Sequence, residues 1–87
     1  MNDKELLRLL KDKLNVPFNG WGALWNPLVD DSQFGALVIS RKVDISWNDN
    51  SVSARIDRSN DVSWYTEPRN DDTMALRHAV IHAIIGR

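Results

Sequence analysis

The sequence contains no cysteine, a single tyrosine and no long apolar run. Without cysteine, the chain can form neither a disulfide framework nor a thiolate metal site. Its apolar runs of a few residues are far shorter than the roughly 20 residues that a membrane span needs. The start of the chain, residues 1–5, is charged and lacks the apolar core of a signal peptide. We therefore expect a cytoplasmic protein without membrane contact.

The length and the charge of the chain limit what it can be. Eighty-seven residues predict one domain, spanning residues 1–87. A chain of this size buries only about 60–65% of the surface that it exposes when unfolded, so oligomerisation is a common source of extra stability. The formal net charge of −1 excludes a broad basic surface that coats extended nucleic acid. It leaves room for a small pocket with a few arginines.

Three segments have the apolar spacing of helices. The first covers about residues 3–14 and has Asn2 as its N-cap, and the second begins at Asp30 or Asp31. The third covers about residues 71–85. This last helix is apolar on more than one side. It therefore either lies between the sheet and the first helix or carries a subunit interface.

Three segments between the second and third helices alternate apolar and polar residues. They cover about residues 43–47, 52–57 and 62–66. The turns between them are too short for parallel crossovers, so the strands are antiparallel. The sequence thus predicts an α+β fold of order ααβββα, in which a three-stranded antiparallel β-meander packs against helices. The other face of the meander is polar and is expected to contact solvent or a ligand.

No catalytic constellation is recognisable in the chain. No serine lies in a G-x-S-x-G elbow, and neither a Walker A loop nor a G-x-G-x-x-G loop is present. Most aspartates lie at turns and helix starts, where they bind backbone N–H groups. We therefore expect a non-enzymatic protein without a cofactor.

Two histidines on the last helix suggest a further hypothesis, a metal-dependent enzyme. His78 and His82 are four residues apart, so they share a helix face and both could ligate zinc. A third ligand would have to come from Asp71 or Asp72, and the glutamate that metalloproteases place between the histidines is missing. We favour an exposed helix edge without metal. The predicted homo-oligomer interface on this helix consists of Ile81, Ile85, His78 and His82.

Arginines combined with aromatic residues are the most suggestive group. Guanidinium groups bind phosphate, and aromatic rings stack on bases. Arg55 is expected on the polar sheet face, beside Tyr65 of the neighbouring strand. The predicted ligand-binding residues are Arg55, Arg58, Arg69, Tyr65, Trp21 and Trp25. In the alternative interpretation, Trp47 and Trp64 lie in the core, the other two tryptophans cover helix ends, and the arginines pair with aspartates.

The order of features over about residues 21–85 resembles a known family. Residues 25–27 (WNP) precede an acidic-capped helix that contains residues 34–38 (FGALV). A polar meander with the pair at 64–65 (WY) follows, and an alanine-rich helix over residues 75–84 closes the chain. This order is similar to that of small phage and prophage proteins of the phage ABA-sandwich type. The resemblance implies a phage accessory protein without established catalytic residues.

The resemblance also implies a function by analogy of fold. Several small phage proteins of similar size and build are sponges, which form symmetric oligomers and sequester immune signals of bacteria. By this analogy, the chain is an anti-defence sponge for cyclic nucleotides or ADP-ribose-type signals in the host bacterial cell. The alternative is a protein-binding inhibitor or adaptor that acts on a host defence complex. Its contact surface would be the acidic turns, including Asp49 and Asp57.

Overall fold

The computed structural model describes residues 2–16, 24–56 and 64–86. The helices are α1 (Asp3–Leu14), α2 (Asp31–Ser40) and α3 (Asp72–Ile85), and the strands are β1 (Val43–Trp47), β2 (Ser51–Ile56) and β3 (Tyr65–Pro68). The strands form one antiparallel sheet of order β1-β2-β3. This architecture confirms the predicted α+β fold with the order ααβββα.

Each helix begins at a side chain that caps it. Asn2, Asp30 and Asp71 each accept a hydrogen bond from the backbone N–H three residues later, at 2.9, 2.9 and 3.2 Å. Of the two candidates for the second cap, Asp30 is therefore the cap. α3 ends at Gly86, whose φ of 82° is in the left-handed region that glycine adopts without strain. No helix in the described ranges is long and apolar enough to cross a membrane.

α3 lies between the sheet and α1. It packs against β2 and β3 on one side and against α1 on the other. Ala79, Val80 and Ile81 are consequently fully buried, in one core cluster with Leu6 and Leu10 of α1. Of the two explanations for the apolar surface of α3, burial between the sheet and α1 is therefore the one that the fold shows.

The burial of α3 corrects one residue of the predicted subunit interface. Ile81 has no exposed surface in the single chain, so it cannot contact a second subunit. The periodicity of the helix placed Ile81 off the main apolar face. A helix that is covered from two sides has no single apolar face, and its hydrophobic pattern does not distinguish core from interface.

β3 differs from the prediction in both its position and its face. It begins at Tyr65 rather than near residue 62, and Tyr65 pairs with Ala54 of β2. Because successive residues of a strand point to opposite faces, Tyr65 lies on the helix-covered side, where it packs against the core. The predicted placement of Tyr65 beside Arg55 is therefore wrong, and Trp64 takes that place. A shift of one residue exchanges the two faces of a strand.

Candidate functional site

The sheet face opposite the helices is the candidate site. The buried apolar residues of all three helices belong to the core cluster on the other face, so no described helix covers this one. Two cross-strand rows of side chains occupy it. These are Asp44, Arg55 and Trp64 in the first row and Ser46, Ser53 and Thr66 in the second.

Arg55 is the centre of the first row. Its Nε donates to Oδ2 of Asp44 at 3.2 Å, and its guanidinium carbon lies 4.5 Å from the centre of the Trp64 ring. The Arg55 side chain keeps 30% of its exposure, and Trp64 keeps 42%. A guanidinium held against an exposed indole offers a cation and an aromatic surface side by side. These are the groups that bind a phosphate and stack on a base.

The second row consists of hydroxyl side chains. The Oγ of Ser53 and the Oγ1 of Thr66 are 2.7 Å apart, and Ser46 pairs with Ser53 across β1 and β2. Ser53 is buried at the centre of the row. The short side chains form a low floor beside the larger Arg55–Trp64 row. Hydroxyls both donate and accept hydrogen bonds, which suits the oxygens of a ribose or a phosphate.

Arg69 does not lie near Arg55. Its backbone N–H donates to the carbonyl of Asn50, at the turn between β1 and β2. Arg69 follows Trp64 by five positions, which corresponds to about 17 Å along a strand. The two arginines that were predicted to share a ligand therefore occupy opposite ends of the sheet.

The guanidinium of Arg69 is committed to contacts within the protein. Its Nε and Nη2 donate to the Asp72 carboxylate at 3.0 and 3.1 Å, and its Nη1 donates to the Asn48 carbonyl at 2.7 Å. It also lies 5.0 Å from the centre of the Trp47 ring. The hydrogen bond from Arg69 lowers the pKa of Asp72. Arg69 thus joins the β1–β2 turn to the start of α3.

None of the other predicted site residues that the structure describes joins Arg55. Arg58 and Trp21 lie outside the described residues. Trp25 is half-buried and packs against the core, and Tyr65 is on the helix-covered face. Among the predicted residues that the structure describes, only Arg55 lies on the open sheet face.

Trp64 is the aromatic site residue that sequence reasoning missed. The apolar alternation over residues 62–66 placed it in the core together with Thr66. Thr66 is the weak point of that pattern, because its hydroxyl gains a partner only on the polar face, where Ser53 lies. The alternative interpretation, in which the arginines pair with aspartates, is confirmed for Arg55 with Asp44 and for Arg69 with Asp72. Its placement of Trp47 in the core is wrong, because Trp47 is 46% exposed.

The two histidines of α3 contact different carboxylates. The Nε2 of His78 is 2.8 Å from Oδ1 of Asp3 in α1, and the Nε2 of His82 is 3.7 Å from Oε1 of Glu67 in β3. Over the described part of the chain, no group of three or more potential ligands is arranged to hold a metal ion. The histidines therefore link α3 to its neighbours on either side.

Comparisons of this chain with protein-family models, curated proteins and solved structures give no match. The resemblance to phage ABA-sandwich proteins stays a prediction.

Proposed function

We propose that the protein is a non-enzymatic binding protein that holds a nucleotide-type ligand on its open sheet face. The observation that carries the proposal is the Arg55 guanidinium stacked on the exposed Trp64 ring. In this proposal, the protein acts as a phage accessory protein in the cytoplasm of a host bacterium. It sequesters cyclic nucleotide or ADP-ribose-type immune signals there.

In this proposal, the site contacts three parts of the ligand. A phosphate accepts hydrogen bonds from the Arg55 guanidinium, and the base stacks on the exposed part of the Trp64 ring. The ribose lies over the hydroxyl row, with Thr66 as its most exposed member. Asp44 lies beside Arg55 and repels further negative charge. The site therefore favours a ligand with one phosphate near the guanidinium.

The chemistry of these side chains supports binding rather than catalysis. The carboxylate of the first row, Asp44, pairs with Arg55 and is therefore not directed at a nucleophile. The Ser53 and Thr66 hydroxyls bond to each other, and among the described residues neither has a hydrogen bond to a side chain that could act as a base. A ligand on this face would therefore be held without being converted.

Oligomerisation remains part of the proposal, through a smaller part of α3 than predicted. Ile85 is half-buried at the end of the helix and borders a cavity with Leu9 of α1. His78 and His82 already face carboxylates in the same chain. A second subunit would therefore contact the edge of α3 near Ile85.

A thermal-shift panel tests the proposed ligand class. The panel contains linear and cyclic di- and trinucleotides and ADP-ribose. A ligand at 100 times its dissociation constant adds about 2.7 kcal/mol of stability, which is several degrees for a domain of this size. Arg55→Lys keeps the charge but loses the planar fork, so it should reduce the shift. The matched control Arg41→Lys should not.

A flat panel would contradict the nucleotide proposal. The second hypothesis, a protein-binding inhibitor, would then take its place. Of its two predicted contact residues, Asp49 is exposed in the β1–β2 turn, and Asp57 lies outside the described residues.

A further inference from the structure

The two edges of the sheet differ in the backbone groups that they leave unpaired. β1 and β3 are the edge strands, and β2 lies between them. The N–H of Asn48 donates to the carbonyl of Ser51 at 2.8 Å, which fixes the alternation of hydrogen-bonded pairs along β1 and β2. Every second residue of β1 therefore directs its N–H and C=O groups away from β2. These residues are Val43, Ile45 and Trp47.

The outer edge of β3 is less able to pair with another strand. The N–H of Arg69 donates to the carbonyl of Asn50 at 3.0 Å, which fixes the alternation along β2 and β3. Thr66 and Pro68 are therefore the outward residues of β3. Pro68 has no N–H, and a proline on an edge strand hinders further pairing. β1 contains no proline, and among the described residues no strand and no backbone donor pairs with its outer edge.

β1 is complementary to a second copy of itself. In an antiparallel pair with a two-fold axis at Ile45, the outward groups of both strands form about six N–H···O bonds. On the helix-covered face, Trp47, which is 46% exposed, then gains the partner's Val43 as an apolar neighbour. On the open face, Asp44 lies opposite the partner's Ser46, whose hydroxyl can donate to the carboxylate. Neither face of the pair brings like charges directly opposite each other.

The segments that flank β1 have opposite charges. Arg41 and Lys42 precede the strand, and Asp49 follows it in the turn. All three are exposed, and none forms an ion pair with another described residue. The pKa of Arg69 is raised chiefly by its hydrogen bond with Asp72, and the charge of Asp49 adds to this from the turn. An antiparallel pair places the basic flank of each copy near the partner's acidic turn, whereas a parallel pair would place like charges together.

We propose that two copies of this chain pair through β1 and join their three-stranded sheets into one sheet of six strands. An extended peptide of another protein would satisfy the same backbone groups, but a second copy also supplies, by symmetry, the matching side chains and charged flanks. This interface is additional to the α3 edge near Ile85. It does not rest on the nucleotide proposal, because its hydrogen bonds come from the backbone of β1 alone.

Sedimentation equilibrium of the full chain measures the dissociation constant of the dimer. Ile45→Pro removes the outward N–H at the axis of each copy without removing a hydrogen bond to β2. It should raise the dissociation constant by at least about tenfold. Thr66→Pro makes the same change at the outer edge of β3 and should leave the dissociation constant within about twofold of the wild type.

A second pair of variants applies if circular dichroism shows that a proline variant does not fold. Ser46→Asp places a second carboxylate opposite the partner's Asp44, and like charges directly opposite each other destabilise a strand pair. It should raise the dissociation constant, and the effect should shrink as salt is added. Thr66→Asp is the matched control on the same sheet face at the other edge.

A crosslink locates the interface. The chain has no cysteine, so a single introduced cysteine can form a disulfide only with a second copy. Ile45→Cys brings two cysteines together at the axis, where paired Cα atoms are about 5.5 Å apart, within the range of a disulfide. Mild oxidation should convert most of Ile45→Cys into a covalent dimer. The control Thr66→Cys should stay mostly monomeric under the same conditions.

A wild type that stays monomeric up to millimolar concentration would overturn the proposal. An equal rise of the dissociation constant in Ile45→Pro and Thr66→Pro would also contradict it, as would equal crosslinking of the two cysteine variants. A dimer that Ile85→Glu dissociates and Ile45→Pro leaves intact would assign the interface to the α3 edge instead.

Discussion

The sheet has an arginine–tryptophan pair at each end, and the two pairs differ in what else holds the arginine. Arg55 lies 4.5 Å from the ring centre of Trp64, and Arg69 lies 5.0 Å from that of Trp47. Among the described residues, the ion pair of Arg55 on the sheet face is with Asp44. Arg69 is fixed by a two-pronged carboxylate contact and a backbone carbonyl. Of the two stacked arginines, Arg55 therefore has the fewer contacts within the described part of the protein.

Arg77 and Phe34 form a third arginine–aromatic pair, and its arginine is the most buried of the three. Arg77 lies 5.5 Å from the ring centre of Phe34, and its side chain keeps only 9% of its exposure. Its Nη1 donates to the carbonyl of Leu28 at 2.7 Å, and its Nη2 pairs with Asp31. The three arginines thus form a series in which the protein's own contacts hold the guanidinium most firmly at Arg77, less firmly at Arg69 and least firmly at Arg55.

The largest effect on stability is expected for Arg77, the most firmly held arginine of this series. Arg77→Met should lower the free energy of unfolding by about 2–4 kcal/mol, because the buried Leu28 carbonyl loses its donor and α3 loses its link to α2. The measurement is urea unfolding, with exposed Arg41→Met as the control, which should change by no more than about 0.5 kcal/mol. A loss below about 1 kcal/mol for Arg77→Met would break the series.

Replacing the two tryptophans should have different effects on ligand binding. Trp64→Ala should weaken nucleotide binding by about tenfold or more, since stacking on an aromatic ring contributes about 1–3 kcal/mol per base. Trp47→Ala should leave the affinity unchanged. Titration calorimetry with the nucleotide that gives the largest thermal shift measures both. Equal losses would mean that the two arginine–tryptophan pairs do not differ in function.

The contribution of the Arg69–Asp72 pair to stability should decrease at acid pH. The pKa of Asp72 is lowered from its ordinary value of 3.8 in the folded protein. The stability that this carboxylate contributes is therefore complete above that value and is lost as the pH falls through the lowered pKa. The stability difference between wild type and Asp72→Asn should be constant near neutral pH and shrink at acid pH. A pH series of urea unfolding measures it, and a difference that persists in strong acid contradicts the assignment.

The smallest effect concerns the ion pair on the open face. Asp44→Asn removes a negative charge beside the proposed phosphate position and should strengthen nucleotide binding by about two- to fivefold, the range of an exposed charge pair. The gain should fall as salt is added. Weaker binding by this variant would mean that Asp44 is needed to position Arg55.

Local signals were enough to predict much of this fold. Asn2 and Gly86 mark the ends of their helices through capping interactions that involve neighbouring residues only. The β1–β2 pairing follows from a short turn and from the alternation of apolar and polar residues. The face of β3 could not be predicted in this way. Alternation around Trp64 and Tyr65 fits both registers, and only the pairing with β2 decides between them.

The candidate site shows the same limit. Arg55 was correctly placed on the polar face because it lies inside a well-defined strand. Its aromatic neighbour was assigned to Tyr65 because that choice depended on the register of β3. Arg69 was included because a sequence does not show that Asp72 and the Asn48 carbonyl already hold its guanidinium. Asp72 is close to Arg69 in the sequence, but the contact with the Asn48 carbonyl, 21 residues away, depends on the fold.

The most direct test compares Arg55→Ala with Arg69→Ala in the same two measurements. These are the dissociation constant for the nucleotide with the largest thermal shift and the melting temperature without ligand. We predict that Arg55→Ala loses nucleotide binding and melts close to the wild type, whereas Arg69→Ala binds normally and melts at a lower temperature. Nucleotide binding that survives Arg55→Ala, or is lost equally in Arg69→Ala, would contradict the assignment of the open sheet face as the ligand site.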